Sequence, residues 1–534
     1  MKTTIKNLIL SAVLVVGGAS CVDLDTAPYD RETDLTYWEE DPEAAVKALN
    51  TCYTYLGNMD EQLYCEAMTD NAYTKQPNDA TQNIGNGSYS TADPYVKKVW
   101  DGRYTGIRMC NELLENIDRV PDLDPELKKR YIGEAKVLRA YNYYELYTKF
   151  GDVPYTTKVL SIKESMSIAR TAKATVIANV LADLDEVING NYLPTSYDAD
   201  NKGRITRWAA MAIKAKIYLF EGNWTQVKNI TSTIMTEGGF TLFGSYAGLF
   251  EIANEYNSEV ILDAQYRPTS REHQMMYVFL PPTLGGYSQL SPLQELVDSY
   301  IMLDGKTIKE TGTSFDESHP YANRDPRLKA TVMYTGNSYT LADGTEVVIN
   351  CEKGEGKDGY GVGSDCSATG YYIKKYWDNA YRATLYSGLN PILIRYADIL
   401  LMNAEALAEL GELDKTAWDA TIKPIRDRAG FTLASAVEFP EGASKDKLIE
   451  IVRNERRSEL ALEGHRHKDI IRWRIADDVL NGWCHGLKTN EVVGTDNGYV
   501  RVENRAFNAN KHYLWPIPQA ERDLNGNLVQ NPNW

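Results

Sequence analysis

The stretch Pro391–Gly430 reads PILIRYADILLMNAEALAELGELDKTAWDATIKPIRDRAG, and it decides the fold of this chain. Pro391 precedes a predicted helix and Gly411 ends it. The apolar residues of this helix recur at the spacing of one helical face: Ile394, Ala397, Leu400, Leu401, Ala404, Leu407 and Ala408. A second predicted helix carries apolar residues at Trp418, Ile422 and Ile425. Such a hairpin cannot bury its apolar face alone, so the sequence predicts a fold of packed helical hairpins.

Amphipathic helices of this kind are predicted along the whole chain, at Tyr37–Leu56, Trp100–Asp118, Leu127–Phe150, Thr175–Asn189, Trp208–Glu221, Trp224–Met235 and Asp446–Glu463. The pattern A-x-x-A-x-x-Y-L-x-x-G-x-W from Ala212 resembles a tetratricopeptide hairpin, although no clean repeat follows it. Strand signals are short, at Glu259–Ala264, at Met275–Leu280 and in a β-hairpin at Tyr339–Asn350. We therefore predict a mainly α fold, with degenerate tetratricopeptide-like hairpins packed against a loop-rich half that has a few short β-hairpins.

The composition is that of an acidic globular protein. The chain has 534 residues and a formal net charge of −17, which argues against nucleic acid as a partner because nucleic-acid binding favours basic surfaces. Tyrosine is abundant, with 36 residues against 10 phenylalanines. A tyrosine ring is apolar with a polar tip, which suits both polar ligands and half-buried helix positions.

The N-terminus has the features of a secretory leader. Lys2 and Lys6 precede the apolar run Leu8–Val16, which is too short to span a bilayer. The small residues before Cys21 resemble a bacterial lipobox, so we predict a signal peptide over residues 1–20 and a lipidated Cys21, with residues 21–35 as a flexible tether. An ordinary secretory signal that ends near a cysteine is the alternative.

The other cysteines have no spacing typical of a zinc or redox site. An exported protein permits disulfides, and Cys351 and Cys366 bracket a glycine-rich loop, which makes them the favoured pair. The connectivity of the six stays open: Cys52, Cys65, Cys110, Cys351, Cys366 and Cys484.

Two segments without apolar periodicity are the candidate ligand-binding regions. The first, Asp70–Trp100, is predicted to be a long irregular excursion, and the second lies in the loop-rich middle of the chain. Aromatic faces can pack on the C–H face of a sugar ring while amides and charged groups pair with its hydroxyls. The predicted ligand-binding residues are Tyr73, Asn78, Tyr89, Tyr95, Tyr287 and Tyr321. Packing within the loops is the alternative role of each tyrosine.

No catalytic or cofactor site can be assembled from the sequence. His465 and His467 near Asp469 lack a third metal ligand, and the glycines of residues 354–359 are followed by more glycines instead of a helix. We predict no metal and no cofactor. Dense charges on the last long helix predict a structural salt-bridge network, with Arg395 as a partner and with Arg456 and Arg457 reaching Glu405 or Asp398. An acid/base pair is the alternative role of these charges.

Four strings resemble the SusD/RagB family of outer-membrane lipoproteins. They are PILIRYADILLMNAEALA from Pro391, RAYNYYELYTKFGDVP from Arg139, NERRSELALEGHR from Asn454 and YLWPIP from Tyr513. The resemblance implies one globular body built from an N-terminal region, 36–240, and a C-terminal region, 241–534. It also implies a lipid-anchored protein of the cell outer membrane that binds an oligosaccharide and passes it to a SusC-like TonB-dependent transporter, with no enzymatic activity. A RagB-like peptide-binding protein is one alternative, and a surface glycosidase with two carboxylates across a cleft is a weaker one.

Overall fold

The structure, a computed structural model, describes residues 33–75 and 81–534. The leader, Cys21 and Asn78 lie outside this range. Nine helices of at least eight residues form the scaffold of the described chain: α1 Ala44–Tyr53, α2 Pro94–Asn116, α3 Pro125–Phe150, α4 Lys173–Asn189, α5 Arg207–Phe220, α6 Trp224–Glu237, α7 Tyr396–Leu410, α8 Ile422–Ala429 and α9 Lys445–Glu459. The predicted mainly α fold is confirmed, and no described helix is both long and apolar enough to cross a membrane.

Shorter helices connect these elements: Met59–Tyr64, Thr81–Asn86, Ile162–Ser165, Met275–Phe279, Gln294–Ser299, Pro326–Thr331, Lys415–Ala420, Ala434–Val437, Arg466–Arg472, Ala476–Val479 and Gln519–Leu524. The strands are short as well: β1 Ala72–Thr74, β2 Val260–Asp263, β3 Leu290–Pro292, β4 Val332–Met333, β5 Ser338–Thr340, β6 Glu346–Val348, β7 Tyr372–Ile373, β8 Ile392–Arg395, β9 Asn481–Lys488, β10 Thr495–Asp496 and β11 Tyr499–Ala506. All pairs are antiparallel: β1 with β3, β2 with β8, β4 with β7, β5 with β6, and β11 between β9 and β10.

The ends of the helices follow the sequence signals. Ser444 caps α9 by accepting a hydrogen bond from the Lys447 backbone N–H. Gly411 ends α7 in the left-handed conformation, with φ of 74°, which glycine adopts without a Cβ clash. The predicted hairpin at Tyr339–Asn350 is β5–β6, and the predicted strand at Glu259–Ala264 is β2.

Three predictions about local structure are wrong. Met275–Leu280 begins as a helix instead of a strand, since a short apolar run fits either when its surroundings bury it. Residues 392–395 form strand β8 before α7 begins, so Ile394 does not belong to the helix. The second helix of the hairpin breaks at Thr421 because Pro424 has no N–H for the Ala420 carbonyl.

The largest apolar core joins both parts of the chain. It is built from the buried faces of α1 to α6, and it includes Met402 of α7, Trp515 and Ile517. Trp515 is 1% exposed, its ring lies 5.8 Å from Phe150 of α3, and its backbone N–H donates to the Lys149 carbonyl at 2.7 Å. Residues far apart in sequence therefore complete the core of the first helices.

The predicted Cys351–Cys366 disulfide is absent from the structure. All six cysteines in the described residues carry free thiols. The Cys366 thiol donates to the Lys357 carbonyl at 3.3 Å, and Cys351 lies buried in a separate apolar core. Proximity across a glycine-rich loop in the sequence does not bring the two sulfurs together.

A buried ionic cluster joins β8, α8 and α9, as the charge pattern of the sequence predicts. Arg395 donates to Glu259 at 2.7 Å, to Glu459 at 2.6 Å and to Glu463 at 2.7 Å. Arg456 binds Asp398 at 2.5 Å, whereas Arg457 binds Asp70 instead of α7. The cluster holds five basic and five acidic groups: Arg327, Arg395, Arg426, Arg428 and Lys375 with Glu259, Asp325, Glu455, Glu459 and Glu463.

Candidate functional site

A wide cleft opens in the loop-rich half of the molecule. Its volume is about 1090 Å³, the largest of the described cavities. One side is formed by the loop that carries Glu317 and Tyr321, with Tyr334 next to it after β4. The opposite side comes from the end of β9 and the loop that follows it, with Tyr499 at the start of β11. We call this cavity the tyrosine cleft.

A stacked pair of tyrosines lies in the cleft. The rings of Tyr321 and Tyr334 are 4.0 Å apart between centroids and 18° from parallel, and both side chains are half-buried. Stacked rings hold each other in one orientation, and both tyrosines line the cleft.

Hydrogen bonds fix the pair from behind. The hydroxyls of Tyr321 and Tyr371 lie 3.2 Å apart, and the Tyr371 hydroxyl donates to Gln294 Oε1 at 2.5 Å. Burial raises the pKa of Tyr321, so its hydroxyl stays protonated at neutral pH. The tyrosine cleft therefore has a rigid aromatic floor before any ligand is bound.

Charged side chains form the rim of the cleft, and one ion pair connects its two sides. Lys488 Nζ of β9 lies 2.7 Å from Glu317 on the facing loop, and Lys353 forms an ion pair with Glu491. Two further lining carboxylates, Glu352 and Glu355, have no ion-pair partner among the described residues. The lining thus contains four carboxylates and two lysines, and its field is unfavourable to an anionic ligand.

A second group of tyrosines lies on the surface. Tyr287 is 46% exposed and stacks on Tyr277 with ring centroids 5.9 Å apart. Tyr386, which is 39% exposed, meets Tyr277 edge-on at 5.8 Å. Tyr287 and Tyr386 are open to solvent, so the group offers a small flat platform on the surface.

The structure separates the residues that we predicted as ligand contacts. Tyr321 lies in the tyrosine cleft, Tyr287 on the surface platform, and Tyr73 on β1, where its half-buried hydroxyl accepts from Gln82 Nε2 at 3.2 Å. Tyr89 is 4% exposed between His512 and Trp534, and Tyr95 is 8% exposed against Trp515. A sugar ring cannot stack on these two buried faces in the described conformation.

The predicted irregular excursion is also more ordered than expected. Residues 72–74 form β1, residues 81–86 form a helix, and α2 begins at Pro94 instead of Trp100. Asp93 caps α2 through the Tyr95 N–H at 2.9 Å, with proline at the first helical position. The Asp-Pro pair at 93–94 is the sequence signal that would have placed this start correctly.

The sequence analysis missed Tyr334 and Tyr499 as cleft residues. Tyr334 directly follows a two-residue strand, and Tyr499 begins β11, so neither lies in a segment without periodicity. A clue to the first was available, because Tyr321 and Tyr334 flank the Asp325-Pro326 pair that starts the short helix Pro326–Thr331. No group of three or more potential metal ligands occurs in the part of the chain that the structure describes.

Comparison with known proteins agrees with this architecture. Residues 249–534 match the SusD family, and residues 37–219 match a family described as "Starch-binding associating with outer membrane". SusD-like protein P25 of Formosa agariphila is 28% identical over 99% of this chain and 98% of its own length.

Solved structures share the fold over nearly their whole length. A SusD-like carbohydrate binding protein from Bacteroides fragilis superposes with a TM-score of 0.81 at 29% identity, covering 92% of this chain and 100% of the other. A laminarin binding SusD-like protein, 24% identical, has the same fold with a TM-score of 0.68 over 92% of this chain and 99% of its own. Since the first match covers more than half of the residues, the chain belongs to the SusD family.

Proposed function

We propose that this protein is a cell-surface glycan-binding lipoprotein whose tyrosine cleft holds a neutral oligosaccharide. The observation that carries the proposal is the rigid Tyr321–Tyr334 stack inside a cleft of about 1090 Å³. A flat aromatic surface packs on the apolar face of a sugar ring, and the surrounding charged and amide groups can pair with its hydroxyls. The relatives named for carbohydrate and laminarin binding support a glycan as the ligand class.

The charge of the cleft selects among glycans. Four lining carboxylates against two lysines disfavour sulfated and uronic-acid polymers, because such a ligand would bring more negative charge to Glu352 and Glu355. Neutral glucans such as starch or laminarin oligosaccharides are therefore the expected class. No acid–base constellation is needed for binding, and we propose that the glycan is held and not cleaved.

Delivery to a transporter and attachment to the membrane complete the proposal. Cys21 would carry the lipid, and residues 21–35 would link it to the folded body near the outer membrane. A SusC-like TonB-dependent transporter would then take the glycan from the cleft. Labelling with a radioactive fatty acid tests the anchor, since Cys21→Ser should remove the label, and co-purification from native membranes tests the transporter.

The binding site is tested by affinity measurements with a panel of neutral and acidic glycans. Tyr321→Ala and Tyr334→Ala should each weaken the binding of a neutral oligosaccharide by about tenfold or more, as expected when a central aromatic contact is removed. Tyr287→Ala is the matched control and should leave the affinity unchanged, because that ring lies on the surface platform. Equal losses in all three variants would contradict the cleft as the site.

Two outcomes would replace the proposed function itself. Binding of peptides with no binding of any glycan would favour a peptide-uptake protein. Shortened glycan products after incubation with purified protein would favour a glycosidase.

A further inference from the structure

Two buried cysteines meet between the first two long helices. Cys52 lies in the last turn of α1, and Cys110 lies in the second half of α2. Both side chains have no exposed surface and belong to the largest apolar core. Their thiols are hydrogen-bonded to each other. We call them the cysteine pair. A disulfide requires side chains that point toward each other, and the cysteine pair meets this condition.

The backbones around the cysteine pair come close together. A Cβ added to Gly106 of α2 would lie 2.8 Å from Tyr55 Cβ, so the close approach at this point depends on the missing side chain of the glycine. Arg103 also donates to the Tyr55 carbonyl at 2.9 Å. Tyr55 lies three residues after Cys52. Gly106 lies four residues before Cys110, so both contacts follow from one antiparallel register of the two segments.

The other cysteines have different surroundings. The thiols of Cys65, Cys366 and Cys484 each donate to a backbone carbonyl, at 3.1, 3.3 and 3.3 Å. Cys351 lies in a separate apolar core from the cysteine pair. Within residues 33–75 and 81–534, a thiol–thiol hydrogen bond is found at the cysteine pair alone.

We propose that Cys52 and Cys110 form a disulfide in the exported protein. One thiolate attacks a disulfide donor, either a small molecule or a protein, and releases the first donor thiol. The second cysteine then displaces the other donor thiol from the mixed disulfide. Two S–H bonds and the donor S–S bond break, one S–S bond forms in the protein, and the donor takes up two electrons and two protons. The inference rests on the proposed export, because an oxidising compartment supplies such donors.

The bond has to form before the core closes. The hydrogen bond to Cys110 and burial both raise the pKa of the Cys52 thiol far above its ordinary value. Since the thiolate is the reactive form, the folded dithiol does not react with a donor. Exchange therefore takes place while α1 and α2 are still apart, and the same burial later protects the finished disulfide from reductants.

The disulfide ties α1 to α2 at the ends of an irregular segment. It closes a loop of about 60 residues, and a loop of that length restricts the unfolded chain strongly. The loop includes β1 and the Thr81–Asn86 helix. A covalent bond between the two helices therefore fixes the base from which these elements extend.

Peptide mapping of the full protein is the direct test. Protein from the membrane fraction is unfolded in the presence of a thiol-blocking reagent and digested without reduction. A cross-linked pair of peptides that contains Cys52 and Cys110 should appear, and reduction should separate it. The proposal is overturned if both residues carry the blocking group, or if either one is joined to a different cysteine.

Oxidative refolding separates this inference from the proposed function. The reduced and unfolded full chain is refolded with glutathione and glutathione disulfide as the donor, and the same cross-link should form. Refolded protein that binds glycan but lacks the cross-link would overturn the disulfide and leave the proposed function intact. Cross-linked protein that binds no glycan would support the disulfide and contradict the proposed function.

Thermal unfolding gives a second readout with matched variants. A reductant should lower the Tm of the wild-type protein by about 2–5 °C, because reduction removes the constraint on the unfolded chain. The double variant Cys52→Ala/Cys110→Ala should lose this dependence on reductant. Cys65→Ala is the control and should keep it, since that thiol donates to a backbone carbonyl. An equal effect of reductant on the wild-type protein and the double variant would overturn the proposal. If the double variant does not fold, peptide mapping of the wild-type protein decides.

Discussion

Replacing Glu459, at the centre of the ionic cluster, by glutamine should lower the free energy of unfolding of the protein. Glu459 accepts from Arg395 at 2.6 Å, from Arg327 at 2.9 Å and from Arg428, and its side chain is fully buried. Glu459→Gln keeps the shape of the side chain but removes its charge. Five cations then face four carboxylates, and an amide NH₂ is placed against a guanidinium.

The size of the expected loss in free energy of unfolding follows from the burial of Glu459. Removing one partner from a buried ion pair costs about 3–5 kcal/mol, because the remaining charge is left without compensation. That is a large part of the ~5–15 kcal/mol by which proteins are stable. Glu450→Gln on the same helix is the control, since its side chain is 60% exposed beside Lys447, and the expected loss is below about 1 kcal/mol.

Urea unfolding followed by circular dichroism measures both variants. The neighbouring arginines hold the pKa of Glu459 well below its usual range against the opposing effect of burial. Its contribution is therefore present above the ordinary carboxylate pKa of about 4.3 and is lost as pH falls through the depressed value. The difference in free energy of unfolding between wild type and Glu459→Gln should stay constant from pH 8 to 5 and become smaller in stronger acid. A loss under 1 kcal/mol at pH 7 would refute this account of the cluster.

Two further predictions concern the strands beside the tyrosine cleft. Hydrogen bonding to Glu295 raises the pKa of His485, so the stabilisation by this side chain is present below the ordinary histidine pKa of about 6.5 and is lost as pH rises through the raised value. The difference in free energy of unfolding between wild type and His485→Gln should therefore be larger at pH 6 than at pH 9. An equal difference at the two pH values would contradict this prediction. Gly370→Ala should cost about 2–4 kcal/mol in urea unfolding, because φ is +78° and an added Cβ would lie 1.6 Å from Leu487 Cδ2. Gly363→Ala, with nothing within 4 Å, should stay within about 0.5 kcal/mol, and equal effects would exclude the clash as the cause.

Most of the helical scaffold could be predicted from the sequence because its signals are local. The observed α3 begins two residues before the predicted start at Leu127 and ends at the predicted Phe150, where Gly151 stops it. The ionic network could also be anticipated, since like charges repeated at i,i+4 on α9 require cationic partners on another element. The identity of each partner was less predictable: Glu405 binds Arg472, and Arg457 binds Asp70.

The candidate site was much less predictable, because it depends on contacts between distant segments. Tyr89 and Tyr321 look equivalent in the sequence, yet Tyr89 is enclosed by His512 and Trp534, which are more than 400 positions away. Tyr334 could not be chosen without knowing that its ring stacks on Tyr321. Periodicity identifies elements, but it does not tell which loop tyrosines become covered when those elements pack.

The position of Trp515 in the first core has a consequence for biogenesis. At ~5–20 residues per second, a ribosome needs roughly 20–70 s to proceed from Phe150 to Trp515. During that time Phe150 can pack on Trp100, but its second aromatic partner does not yet exist. The early helices therefore emerge with part of their apolar face uncovered until Trp515 and Ile517 follow. Apolar surface that is uncovered in this way favours aggregation, so the last segment of the chain decides when the first core becomes protected.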